Sequence, residues 1–350
     1  LFARIKAVYD QKDQANLTPE QSKLLEKVYN SFVRSGANLE GEAKEQYRAL
    51  SKELSLLTLQ FGENNLKETN DYKLVLTDPA QLAGLPQSAI DAAAETAKEK
   101  GVEGWVFTLQ APSYSPFMTY ASNRDLRCKL YMAYNTKCTH DNETNNLEIV
   151  KKLVNTRLAI AQLLGYSSFA EYNLQERMAE NSGNVYKLLD QLLDAYTPTA
   201  KQEYAEVEAL ARQLEGSDFT VMPWDWSYYS HKLKDQKFQI DDEMLRPYFE
   251  LSKVKEGVFG LATRLYGITF KKNSDIPVYH KDVDAYEVFD KDGKFLSMLY
   301  TDFHPREGKR AGAWMTSYKE QWIDEATGEN IYRDELHQAD KRQTRLTDIW

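Results

Sequence analysis

Five histidines, His140, His231, His280, His304 and His337, are the side chains best suited to a catalytic metal. None stands in H-E-x-x-H, the spacing that sets two imidazoles on one helical face for zinc with a glutamate as base. His140 lies two residues after Cys138, but one imidazole and one thiol fall short of a zinc ligand set. His280 and His304 bracket a β-rich stretch and could approach each other, although lone imidazoles read first as hydrogen-bonded surface groups. There is no G-x-S-x-G elbow, P-loop or dinucleotide-binding glycine fingerprint. Carboxylates are plentiful, yet spacing alone pairs none of them as acid and base. Trp224, Trp226, Tyr228 and Tyr229 could line a groove; their helical spacing favours core packing. Cys128 and Cys138 match no metal or redox spacing and read as two reduced thiols. The residues alone therefore give no complete catalytic set.

The elements that would position these groups are mostly helices. "NLTPEQSKLLEKVYNSFVRSG" offers Thr18 as N-cap, Pro19 at the first helical position and Gly36 as a stop. A long helix follows, with Tyr47, Leu50, Leu54, Leu57 and Phe61 at three- and four-residue steps. "DYKLVLTD" and "GWVFTLQ" read as two short strands flanking a helix in "PQSAIDAAAETAKEKG". Asn123 to about Gln213 is almost wholly helical by pattern, with breaks at Gly165 and Gly183 and a new turn or kink at Pro198. Helices continue through "PWDWSYYSHKLK" and "LRPYFELSKVKEGVFGLATRLYG". "DAYEVFDKDGKFLSMLYTDFH" predicts a hairpin turning at Asp292–Gly293, and "GKRAGAWMTSY" a further strand. The expected fold is mainly α with a small antiparallel sheet. Its expected regions are 1–120 helical with two short strands, 121–275 helical, 276–331 hairpin and sheet, and 332–350 a tail.

Charge and composition narrow the partners. A net charge of −9 over 350 residues, with basic and acidic side chains interleaved, argues against nucleic acid and anionic membranes. No stretch approaches the roughly 18 apolar residues of a membrane span. The sequence opens on Leu1 without a methionine, so an upstream segment is expected to have been removed. A cytoplasmic location is expected, with the periplasm open, and the oligomeric state is not set by sequence.

Longer segments carry a resemblance. "GWVFTLQAPSYSPFMTYASNRDLRCKLYMAYNTK", "LVNTRLAIAQLLGYSSFAEYNLQERMA", "WDWSYYSHKLK", "LRPYFELSKVKEGVFGLATRLYGITF" and "VDAYEVFDKDGKFLSMLYTDFHPREGKRAGAWMTSY" resemble the peptidyl-dipeptidases of the M3 (thimet oligopeptidase) family of zinc metallopeptidases. The likeness runs from Leu1 to about Asn330. It implies a partial neurolysin-like zincin fold, split by a deep channel with zinc at its floor. The implied reaction is release of C-terminal dipeptides from oligopeptide substrates. Zinc is held in the family by H-E-x-x-H and a later glutamate, and the motif glutamate activates a metal-bound water. Those residues lie beyond the "GAW" region and have no counterpart here. The resemblance thus implies a chain short at both ends, without the zinc helix and the C-terminal half. It is expected to be inactive alone, to bind no zinc, and to bare apolar surface. A non-enzymatic peptide-binding protein on the same scaffold, or a piece of an endo-acting M3 oligopeptidase, are the other readings. "RAGAW" (Arg310–Trp314) is similar to the "HASAW" edge strand of angiotensin-converting enzyme, a distant relative that also releases dipeptides. Ala311, Gly312 and Ala313 would leave a backbone open to an extended peptide.

The tail "IYRDELHQADKRQTRLTDIW" has no period. Reverse-translated from Tyr332 and read one nucleotide later, it can give IVMNFTKPT followed by NDRPALLTF. Both resemble family segments that lead to the metal helix. The expectation is a frame change near Asn330–Tyr332, which would make His337 and Glu335 products of the wrong frame. No evolved packing is expected of this stretch.

Overall fold

Thr18 illustrates how local chemistry sets the elements. Its side chain accepts from the Gln21 backbone N–H at 3.2 Å while Gln21 Oε1 accepts from the Thr18 N–H at 3.0 Å. This reciprocal cap, with Pro19 where no helical N–H is needed, starts the helix Pro19–Arg34. The computed structural model describes residues 1–310, 312–318, 322–323, 326–328 and 330–331. Ala311 and the tail 332–350, with His337, lie outside the described residues.

In chain order the helices are α1 (Phe2–Tyr9), α2 (Pro19–Arg34), α3 (Gly41–Asp71), α4 (Gln87–Glu99), α5 (Ala111–Tyr120), α6 (Arg124–Asn135), α7 (Leu147–Leu163), α8 (Phe169–Leu174), α9 (Ser182–Glu215), α10 (Trp226–Phe238), α11 (Asp242–Leu245) and α12 (Leu251–Tyr266). The strands are β1 (Leu74–Leu76), β2 (Trp105–Phe107), β3 (Thr269–Lys272), β4 (Asp284–Phe289), β5 (Phe295–Thr301), β6 (Trp322–Ile323) and β7 (Asn330–Ile331). The fold is mainly helical with small antiparallel sheets, as the residue pattern predicts. Two differences stand out. α9 runs unbroken through Pro198, so of the turn or kink expected there no new turn begins. α5 was not anticipated: Pro112 sits in its first turn, where a missing N–H costs nothing, and only Pro116 is interior.

The chain divides into two compact units, each drawn from two stretches rather than the consecutive regions read from sequence. The first holds Leu1–Lys73 and Cys128–Tyr229. There α3 packs on α7 through Leu54, Leu57, Ile149 and Leu153. Asn64 Nδ2 donates to Asn146 Oδ1 at 2.9 Å beside that seam. Phe2, Tyr9, Tyr29 and Phe32 stack α1 on α2.

The second unit comprises Leu74–Arg127 and the chain from Ser230 onward. β1 and β2 pair antiparallel, with Val75 opposite Val106. Two glycines here allow backbones to meet. A Cβ on Gly104 (φ +95°) would strike the Leu76 carbonyl oxygen, and one on Gly84 (φ +87°) the Tyr120 carbonyl oxygen. β3, β4 and β5 form a three-stranded antiparallel sheet in that order. Period-two alternation splits it into two faces. Ala285, Met298 and Tyr300 pack with Ile276 and Val283 on one, while Tyr286, Val288 and Leu299 meet Phe259, Ile268 and Phe270 on the other.

Candidate functional site

The expected hairpin is present and turns at Asp292–Gly293, where Gly293 adopts φ +77° and the Asp290 N–H donates to the Lys294 carbonyl at 2.9 Å. β5 leaves this turn and ends in a buried tetrad, Met298 to Thr301. Asp302 follows and is 7% exposed. Two cations and a phenol converge on its carboxylate. Arg306 binds it in bidentate fashion, Nη1 to Oδ1 at 2.8 Å and Nη2 to Oδ2 at 2.7 Å. Lys309 Nζ lies 3.1 Å from Oδ1, and Tyr279 Oη donates to Oδ2 at 3.1 Å. Lys309 Nζ also donates to the backbone carbonyls of Asp302 (2.8 Å) and His304 (3.1 Å). Burial pushes the Asp302 carboxyl up, but the Arg306, Lys309 and Tyr279 hydrogen bonds outweigh it and hold the group at about 2. The turn Asp302–Lys309 is thus tied to one buried charge. Sequence reading missed this hub; its signal was the i+4 arginine and i+7 lysine after a β-rich run.

Beyond the hub, Tyr279, Asp302, Arg306, Gly308, Lys309, Trp314 and Tyr318 line a cavity of about 250 Å³. Gly312 and Ala313 follow and are exposed. Among the described residues, a Cβ added at Gly312 would meet nothing within 4 Å. The strand expected over "GKRAGAWMTSY" is not formed among the described residues: Gly312 is a bend, Ala313–Thr316 are irregular, and Ser317 makes an isolated bridge. The physical reason is local. Gly312 takes φ +109°, outside the extended region, and the preceding turn closes on Asp302, with the Lys309 N–H donating to the Arg306 carbonyl at 2.9 Å.

The other flagged residues are not gathered here. His280 Nδ1 accepts from the Asp282 backbone N–H at 3.3 Å, and His304 gives its carbonyl to Lys309. His231 packs edge-on against Tyr120 at 4.6 Å. In the first unit, His140 Nε2 lies 3.5 Å from Glu68 Oε1. That carboxylate also accepts from the Cys138 backbone N–H (2.7 Å) and Thr144 Oγ1 (2.9 Å). Cys138 is 4% exposed, and burial, then the Glu68 carboxylate, push its thiol up to about 11. Of the aromatic group, Tyr229 is buried and donates to Glu215 at 2.9 Å, while Trp226 lies stacked on Tyr204 and partly exposed. Among the described residues, no three His, Cys, Asp or Glu side chains are placed to hold a metal ion, so the donors described do not fit the zinc that the resemblance implies. No described helix is long and apolar enough to cross a membrane.

A helical body whose small sheet delivers an anchored, exposed segment has close relatives among peptidases. Residues 117–344 match the profile of peptidase family M3. The dipeptidyl carboxypeptidase of Escherichia coli is 35% identical over 334 residues, 95% of this chain and 49% of that protein. The oligopeptidase A of the same organism is 36% identical over 319 residues, 90% of this chain and 47% of that protein. The probable thimet oligopeptidase of Arabidopsis thaliana is 29% identical over 308 residues. The chain belongs to peptidase family M3. It spans about half the length of the curated relatives it matches.

Proposed function

We propose that this chain is the peptide-guiding part of an M3 peptidyl-dipeptidase, and that Ala311, Gly312 and Ala313 offer backbone groups to an extended oligopeptide. The observation that carries the reading is the exposed, side-chain-free backbone at Gly312, three positions after the Lys309 that closes the Asp302 hub. Docking would add the peptide by main-chain hydrogen bonds, which read the strand and not its sequence. Hydrolysis is not assigned to the described residues, because their donors do not fit zinc. In the family zinc supplies a polarised water and a Lewis acid; the part given to this chain is binding and alignment.

The test is a titration with a blocked pentapeptide, following the backbone amide resonances of Gly312 and Ala313. Shifts there that Gly312→Val reduces at least tenfold in affinity support the reading. Shifts confined to other parts of the chain would sink it. Dipeptide release by this chain with added zinc would overturn the assignment of binding alone. The endo-acting alternative is supported by the oligopeptidase A match, equal in strength to the dipeptidyl carboxypeptidase match. A product analysis on a chain carrying the family's metal helix separates the two, since only the exo mode yields dipeptides throughout.

We propose further that Tyr332–Trp350 is read out of frame. The support is the shifted reading IVMNFTKPT and NDRPALLTF; the family match running to residue 344 weighs against it. Codons at these positions incompatible with the shifted reading would end the proposal.

A further inference from the structure

α2 turns one polar face toward an open cavity. Lys23, Glu26, Lys27, Asn30, Val33 and Arg34 line it from that helix, at three- and four-residue steps. Across a volume of about 710 Å³ stand Tyr166, in the turn between α7 and α8, and Gln175 and Glu176, just past α8. Pockets of this size hold small molecules. All of these residues belong to the first unit.

Arg34 fixes one end. Its Nη1 donates to Gln175 Oε1 at 2.8 Å and its Nη2 to the Tyr172 carbonyl at 3.0 Å, with the guanidinium 4.4 Å from the Tyr172 ring centroid. Tyr172 Oη donates back to the Arg34 carbonyl at 3.2 Å, and Tyr166 Oη donates to Gln175 Oε1. These bonds tie α2 to α8 and set the two walls apart. The charges between the walls are only partly matched. Lys23 pairs with Glu26 at 2.8 Å, whereas Glu176 sits 3.7 Å from Arg34 Nε, beyond hydrogen-bonding distance. Lys27 and the half-buried Asn30, one turn apart, make no side-chain hydrogen bond or ion pair among the described residues. Amides withdrawn from water normally find a partner, and nothing in the chain supplies one here.

The leftover groups describe a ligand. The Lys27 ammonium selects an anion such as a carboxylate. The Asn30 side chain carries one carbonyl and one NH2, the complement of a peptide group. Glu176, 53% exposed and only loosely held by Arg34, is left to meet an ammonium. From Lys27 to Arg34 the helix rises about 10 Å, which an extended peptide covers in about three residues. We propose that this cavity binds a short peptide with both ends free, its carboxylate on Lys27, a peptide group on Asn30 and its ammonium toward Glu176. Val33 gives one of its side chains an apolar contact. Gly312 belongs to the second unit, so the inference does not rest on the peptide reading there.

The experiment titrates the full chain with trialanine and follows the backbone amide resonances of Lys27, Asn30 and Tyr166. Saturable shifts with a Kd at or below about 1 mM are expected. Amidating the C-terminus of the probe should weaken binding at least tenfold, and acetylating its N-terminus at least threefold. Lys27→Met should cost at least tenfold and Asn30→Leu at least fivefold, while Lys52→Met on α3 leaves the affinity within twofold. Unfolding curves of the two cavity variants should superimpose on that of the parent, since neither side chain has a partner to lose. Amidated and free trialanine binding equally well, or affinity indifferent to Lys27→Met, overturns the proposal. Shifts confined to Gly312 and Ala313 belong to the other reading and overturn this one. Acetate that displaces trialanine at equal concentration marks a simple anion site and overturns the choice of ligand.

Discussion

A half-buried carboxylate in the first unit, Glu68, and a buried one in the second, Asp302, each hold a loop in place, and they do it differently. Glu68 gathers neutral donors: the Cys138 backbone N–H, the Thr144 hydroxyl and the neighbouring thiol. Asp302 gathers cations, with Arg306 in a two-point fork and Lys309 against the same group. Neutral hydrogen bonds add roughly 0.5–1.5 kcal/mol each and fail one at a time. A buried charge cluster is a poor source of net stability while intact, yet costly to break, because each orphaned ion keeps its desolvation penalty. The first unit's loop should therefore degrade gradually, and the second unit's turn should fail abruptly.

The sharpest way to break this comparison is Asp302→Ala. It leaves Arg306 and Lys309 facing each other, and a loss of about 3–5 kcal/mol is expected in a denaturant melt followed by β-sheet signal. Gly104→Ala comes next in size. It combines a left-handed φ with a collision against the Leu76 carbonyl, so a loss of about 2–3 kcal/mol is expected. Glu68→Ala should cost about 1–3 kcal/mol, less than Asp302→Ala. The reverse order in calorimetry would end the distinction between the anchors.

Titration sharpens the same contrast. The folded Asp302 carboxyl at about 2 lies below its ordinary value of 3.8. Its contribution is fully present above pH 3.8, and is lost as pH falls through about 2. The expected loss is about 2 kcal/mol. The Cys138 thiol is displaced the other way, from 9.0 to about 11. Its contribution is present below pH 9.0 and is lost, by about 2 kcal/mol, as pH rises toward about 11. The β-sheet signal should thus be the acid-sensitive one, and helix signal from the α3–α7 pair the alkali-sensitive one. Cys138→Ser should flatten the alkaline limb alone. The smallest expected effect is Gly312→Val, about 1 kcal/mol on stability, because its Cβ meets no described atom while a β-branched residue at φ +109° is strained. Its consequence belongs to peptide affinity.

Much of the helical frame was legible because each helix states its face in the chain. α2 shows its cap and its proline, and α3 its Leu54 and Leu57 row. The hairpin announced itself through Asp292–Gly293. What stayed hidden depends on groups far apart or on backbone that side chains do not encode. Tyr279 reaches Asp302 across 23 positions, a distance no periodicity reports. The strand expected at Gly312 rested on the likeness of RAGAW to an edge strand, and its small residues permit a close approach but equally permit the left-handed φ that breaks an extended run. α5 was obscured by prolines that suggest a loop unless their place in the first turn is known. The helices and the hairpin were therefore nameable from sequence, while the buried charge that ties the turn after β5 was not.

Gly84 and Gly104 bear on how this gene can change. Every single-base substitution at the first two positions of a glycine codon that keeps a sense codon adds a side chain. At these two positions any added Cβ meets a carbonyl oxygen of a neighbouring segment. Neither codon has a conservative neighbour, so variation here is confined to silent third-base changes. The β1–β2 pairing and the Gly84–Tyr120 approach are two places in this chain where drift has no room to begin.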